Sequence, residues 1–233
     1  RIGATLDRAR LGYFTPDYTA YEDLFTTFTR IEPVHIELHA SHGFRIDPAE
    51  LDRRITSEKL AAILISNPCN PTGVALAGKE LAEWVRIARA RRCTAIFDEF
   101  YSHYVYNVTS TTTTPAAGPV SAAEFVEDVN ADPVILVDGL TKNYRYPGWR
   151  SGWVVAPKHI IQTLTAGGSF LDGGPSRPIQ RAAIEILKPA RADQETNAVR
   201  AAFAVKHRLT IDRLTSLGVE FPALETCLKG KLP

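Results

Sequence analysis

The chain has 233 residues, 45% of them hydrophobic, which suits one large domain or one and a half small ones and excludes disorder as its main state. Lysine and arginine total 27 against 26 acids, so no global field draws in nucleic acid or an anionic membrane, and any anion site must be local. Cys69, Cys93 and Cys227 are odd in number and form no CxxC or zinc pattern; no apolar run reaches the about 20 residues of a membrane helix, and no secretory signal opens the chain. These features predict a soluble, cytoplasmic protein in a reducing compartment, where the sequon Asn107-Val108-Thr109 is not a glycosylation site. The chain starts at Arg1 and contains no methionine, which reads as part of something longer.

In chain order, a helix is expected from about Asp17 to Thr29, then a strand from Pro33 to Leu38, a short helix from Pro48 to Thr56 and a strand from Leu60 to Ser66. The clearest amphipathic pattern follows in AGKELAEWVRIARARR, where Leu81, Trp84, Val85 and Ala88 share one face. Strands are predicted at Thr94 to Phe97, Pro133 to Val137 and Ser151 to Ala156, several of them nearly all apolar, as strands covered on both faces must be. Between them TSTTTTPAAGP, residues 109–119, reads as an exposed loop or insertion tip. A helix starts at Pro157, and after the turn LDGGPSRP the chain is helical to about Ser216 with a break near Lys188-Pro189. Alternating strands and helices predict a three-layer α/β/α sandwich around a mainly parallel sheet.

Three segments sit where a buried strand ends, the place where open α/β sheets bind ligands. In ISNPCNPTG, two Asn-Pro pairs and a Thr-Gly hold amide groups in a rigid turn, though a turn with no other role reads the same way. In TAIFDEFY, Asp98 follows an apolar strand and demands a cationic or hydrogen-bonding partner. Acid pairs after strands also serve metals and nucleotide phosphates, but no GxxxxGK[ST] loop is present. In VDGLTKNYRYPGWRSGWVV, a polar loop carries Lys142, Arg145 and Arg150: a lysine beside a strand end can be partly desolvated into an amine nucleophile, and Arg150 offers a planar fork for a phosphate. The plain alternative is a solvated basic loop. Together the segments supply a carboxylate, an amine, a guanidinium and amides, the set pyridoxal phosphate requires.

NPCNPTG, DEFY and LTKNYRYPGWRSGW resemble, in order and spacing, the three signature segments of class I/II aminotransferases with the type I pyridoxal-phosphate fold. The likeness runs from about Phe14 to the end of the chain, its most specific piece being a lysine followed eight residues later by arginine with Pro-Gly-Trp between. It implies that Lys142 holds pyridoxal 5'-phosphate as a Schiff base and shuttles the proton, and that Asp98 pairs with the pyridine nitrogen. Asn70 and Tyr101 would hydrogen-bond the phenolic oxygen, Arg150 would bind the phosphate, and Tyr18 would stack on the ring. It also implies a cis Asn70-Pro71 bond, amino acid and 2-oxo acid substrates, and a homodimer in which SFLDGGPSRP approaches the partner's cofactor. Elimination chemistry on the same scaffold, and a truncated non-catalytic homologue, stay open beside transamination.

Departures accompany the likeness. Many relatives carry serine three before the lysine; here Gly139 stands there, with Thr141 as the substitute phosphate ligand. Gly3-Ala4-Thr5 is the candidate remnant of an upstream phosphate turn. The resemblance divides the chain into a large cofactor-binding domain at 1–190, lacking its N-terminal part, and a helical connection at 191–233 into a small C-terminal domain that is largely absent, so the chain reads as a fragment or a degraded gene product. His35, His39 and His42 have spacings that could suit a helical metal site, but His35 to Leu38 reads as an alternating strand and no HExxH is present, which argues against one. The neutral charge sets aside nucleic-acid stacking by KNYRYPGWR. His103 and Tyr104 lie near the site without an assigned role.

Overall fold

A computed structural model describes residues 9–108, 113–115, 118–171 and 173–218. Six strands form the central sheet: β1 (Ala9–Thr15), β2 (Ile31–Glu37), β3 (Ala62–Ser66), β4 (Thr94–Asp98), β7 (Val134–Gly139) and β8 (Gly152–Val155), in the order β2-β1-β3-β4-β7-β8. All neighbours run parallel except β7 and β8. The two-stranded ribbon of β5 (Tyr106–Val108) and β6 (Thr113–Pro115) stands apart. Part of the segment expected to be a loop at 109–119 is therefore a β-strand, and the sequon's Thr109 lies outside the described residues.

The helices are α1 (Ala20–Thr27), α2 (Pro48–Ser57), α3 (Gly78–Arg91), α4 (Lys158–Leu171), α5 (Arg177–Ile186) and α6 (Pro189–Ser216). Asp47 caps α2 by accepting from Ala49 N–H at 2.8 Å, and Pro48 fits the first turn because its missing donor would be unpaired there anyway. The break near Lys188-Pro189 falls between α5 and α6, as the sequence predicts. The first helix begins three residues later than predicted, because Asp17 is drawn into a buried contact instead of a helical turn.

Alternate side chains of each central strand serve the two faces. Phe14, Ile63 and Ile65 join Leu51, Leu81, Trp84 and Val85 under α2 and α3, while Leu11, Ala62 and Leu64 join Tyr21 and Phe25 of α1 on the other side. The expected three-layer sandwich is what forms. The sequence pattern misses β1, whose run ARLGYFT is broken by Arg10 and Gly12. Gly12 is required by the packing: a Cβ there would lie 2.8 Å from Leu60 Cδ1. Arg10 keeps its guanidinium at the strand's start, paired with Glu32 and Glu58.

Trp84 is the largest fully buried side chain, with ring centroids 5.4 Å from Phe14 and 6.5 Å from Phe97. Its truncation removes transfer energy and leaves a cavity between helix and sheet. Trp84→Ala is expected to cost about 3–5 kcal/mol, read as a lowered urea midpoint with an unchanged m-value.

Candidate functional site

The chain leaves β1 for β2 on one side and returns to β3 on the other, so neighbouring strands diverge and open a crevice beyond their C-terminal ends. Because β8 is antiparallel, its N-terminal end lies at the same edge. Tyr18 follows β1, Ser66 ends β3 and Asn70 follows it, Asp98 ends β4 with Phe100 and Tyr101 after it, Thr141 and Lys142 follow β7, and Arg150 precedes β8. With Pro147, these residues line one pocket of about 480 Å³. All seven residues singled out by sequence converge there; Ser66, Phe100 and Pro147 are additions that only the fold brings in.

The turn after β3 is rigid. Asn67 is fully buried and closes it on itself, its amide donating to Leu76 O at 3.0 Å and accepting from Leu76 N–H at 2.8 Å. The amide facing the pocket therefore belongs to Asn70, whose bond to Pro71 is cis, as are Asn67-Pro68 and Thr15-Pro16. Asp98 ends β4 and accepts from the Tyr21 hydroxyl at 2.7 Å and Phe100 N–H at 3.3 Å. Burial pushes its carboxyl above the usual range, and the Tyr21 bond opposes that. Among the described residues Asp98 has no ion-pair partner, so the partner demanded by its position is a neutral hydroxyl.

Lys142 is exposed. The loop turns Asn143 and Tyr144 inward and so leaves Lys142 at the rim, with Nζ 5.8 Å from the Tyr101 ring centroid. Asn143 was not singled out by sequence, yet it anchors the loop. It is fully buried; its amide nitrogen lies 2.9–3.1 Å from Glu99 O, Ser102 Oγ and both Asp138 carboxylate oxygens, and its Oδ1 accepts from His103 N–H. Tyr104 donates its hydroxyl to Lys142 O at 2.8 Å. His103 is buried behind the loop against Tyr144, with Nδ1 3.1 Å from Thr196 Oγ1. Burial, with Arg200's charge, lowers its pKa to about 4.

Arg145 and Arg150 both adopt left-handed backbone angles, at φ 62° and 50°, a region costly for residues with a Cβ. Arg145 pairs with Glu195 on α6 and does not line the pocket, whereas Arg150 lies exposed at its wall and donates to Pro147 O at 3.1 Å. Gly139 cannot be the serine of the usual pattern. A Cβ there would lie 2.8 Å from both Gly152 Cα and Ser151 O, because β7 and β8 cross closest at this glycine pair. Gly3-Ala4-Thr5 lies outside the described residues. A second cleft, of about 570 Å³, lies behind Phe100 between β7, β8 and α4; its lining is mostly apolar, with Asp138 its one ionisable group among the described residues.

The fold and the strand-end crevice define an α/β protein with an open pocket beyond the edge of its sheet. Residues 9–228 match the family described as Aminotransferase class I and II, and the chain belongs to that family. It is 30% identical to an aspartate aminotransferase of Pyrococcus abyssi across 81% of this chain and 46% of the relative, and 30% identical to one of Geobacillus stearothermophilus across 84% and 46%. Among solved structures, the aromatic aminotransferase of Pyrococcus horikoshii superposes with a TM-score of 0.77 at 28% identity, covering 91% of this chain and 54% of that one. Thermus thermophilus aspartate aminotransferase with maleate shares the fold at a TM-score of 0.78 and 24% identity, covering 92% and 52%. The chain thus spans about half the length of the curated relatives it matches. No described helix is long and apolar enough to cross a membrane.

Asp138 provides a pH test of this edge. Burial raises its pKa from 3.8 to about 7, against the hydrogen bonds from Gly139 N–H and Asn143. A carboxyl raised in the folded state contributes stability that is complete below pH 3.8 and lost as pH rises through about 7. Asp138→Asn is expected to reduce the fall in unfolding free energy between pH 5 and pH 8, measured by urea denaturation; an unchanged fall would show that Asp138 titrates normally.

Proposed function

We propose that this pocket binds pyridoxal 5'-phosphate and that the chain carries the cofactor-binding core of a transaminase acting on an amino acid and a 2-oxo acid. The observation that carries the reading is the convergence of Tyr18, Asn70, Asp98, Tyr101, Thr141, Lys142 and Arg150 on one pocket whose half-buried carboxylate has no cation beside it among the described residues. The donor set fits the group. A protonated ring nitrogen would supply Asp98 with its missing charge, Arg150 and Thr141 would hold the phosphate, and Asn70 and Tyr101 would donate to the phenolic oxygen. Tyr18, 47% exposed at the pocket mouth, offers its ring as a stacking surface.

When bound, the cofactor supplies an electron sink for the bond broken at the substrate's α-carbon. The Lys142 amine is the group of this chain that would hold the cofactor and would move the α-proton. The Lys142 side chain is exposed at the pocket rim, and Tyr104 holds the backbone carbonyl of the same residue.

We take residues 1–190 as the cofactor-binding domain and 191–233 as the connection to a further domain. Exposed Phe170 and Leu171, at the end of α4 in the segment SFLDGGPSRP, support a homodimer that covers them. Cys69 and Cys93, both free and buried, support a reducing, cytoplasmic setting.

Purified protein mixed with pyridoxal 5'-phosphate is expected to gain a visible absorption band and, after borohydride, a stable adduct on Lys142 found by peptide mass. Lys142→Ala should lose both. Uptake that survives Lys142→Ala with an adduct elsewhere would sink the assignment. With amino-acid panels, accumulation of the amino form of the cofactor marks transamination, whereas release of a side-chain fragment marks elimination.

A further inference from the structure

Asp17 lies outside the roles the family resemblance distributes, yet it is 6% exposed, buried directly beneath the pocket wall. Its Oδ1 accepts from Tyr18 N–H at 2.7 Å and from the Ser66 hydroxyl, and its Oδ2 accepts from Ser66 N–H at 3.1 Å. The Ser66 oxygen in turn accepts from Asn70 N–H at 3.1 Å. Tyr18, Ser66 and Asn70 all line the pocket, and they come from two separate strand ends, β1 and β3. One carboxylate therefore ties the stacking ring, the wall hydroxyl and the amide turn to a common point.

We propose that Asp17 is a positioning residue for cofactor binding, setting Tyr18 directly and Asn70 through Ser66; this rests on the reading of the pocket as the pyridoxal-phosphate site. Both oxygens of Asp17 face donors. An amide at this position turns an N–H₂ toward Ser66, so one acceptor becomes a donor opposed to a donor. Burial raises the carboxyl to about 6, with Asp98's charge adding to the rise, so at pH 8 the ionised acceptor form prevails. Three donors, all on the wall residues Tyr18 and Ser66, offset part of the cost of burying that charge.

The test uses wild type, Asp17→Asn, Ser66→Ala and the double variant at pH 8, with pyridoxal 5'-phosphate titrated by visible absorption and folding checked by thermal melting without cofactor. Each single variant is expected to weaken cofactor binding about tenfold, a loss near 1.4 kcal/mol. The double variant should be no weaker than the worse single, because both cut one chain of bonds. The pH midpoint of the bound cofactor's absorption change should also rise, since a displaced Asn70 donates less well to the deprotonated phenolic oxygen. A lowered melting temperature with unchanged affinity and midpoint would make Asp17 merely structural and overturn the proposal. Should Asp17→Asn fail to fold, Ser66→Ala decides alone, wild-type affinity refuting it. Absence of uptake by wild-type protein would refute the pocket reading and this proposal with it; uptake by wild type with equal uptake by both variants refutes this proposal only.

Discussion

A strand covered on both faces can place polar side chains only at its ends. β3, whose five residues are all buried, and β4, flanked by β3 and β7, obey this constraint, and the rest of the site follows from it. Parallel strands bring their C-terminal ends to one edge, so polar groups that each strand must expel from the core collect there. The antiparallel β8 adds its N-terminal end to the same edge, which is how Arg150, before a strand, meets Lys142, after one. The glycine pair 139 and 152 lets these two strands approach closely enough to do so.

Burying carboxylates at that edge has an electrostatic cost that the side chains only partly offset. Asp17, Asp98, Glu99 and Asp138 are all held above the usual carboxylate range, burial being the first cause in each case. Glu99 is satisfied locally by Ser121 and Ala122 N–H, and Asp138 by Gly139 N–H and Asn143. These two belong to the scaffold. Asp98 differs because one of its sides opens on the pocket while Tyr21 holds the other, which leaves it the carboxylate best placed to receive a cation from outside. The edge thus combines carboxyls held above their usual range with the exposed cations Lys142 and Arg150 at its rim.

What could be read from sequence was local. Apolar runs gave five of the six main-sheet strands within a few residues, and three short motifs carried every site residue read from sequence except Tyr18, because each motif is a contiguous segment at the sheet's ligand edge. What could not be read was the bonding between motifs. Asp17 touches Ser66 across 49 positions, and Asn143 reaches Glu99, Ser102 and Asp138 through its buried amide; neither pairing leaves a periodic or compositional trace. β1 was lost for a related reason, since its glycine answers to Leu60 and Ile36, residues distant in sequence. Sequence left the exposure of Lys142 open, because position next to a strand end does not say which side of the loop faces inward.

The loop between β7 and β8 shows why that last distinction matters. Two arginines in left-handed backbone conformations would not persist in a free loop, where each costs on the order of 1–2 kcal/mol. They persist because Asn143 is fixed on three sides, Tyr104 grips the Lys142 carbonyl and Leu140 N–H bonds to Ser151 O at the base. A loop over-determined in this way keeps its lysine backbone in place while leaving the amine free. The loop's backbone order is built before any ligand arrives, so binding need not supply it.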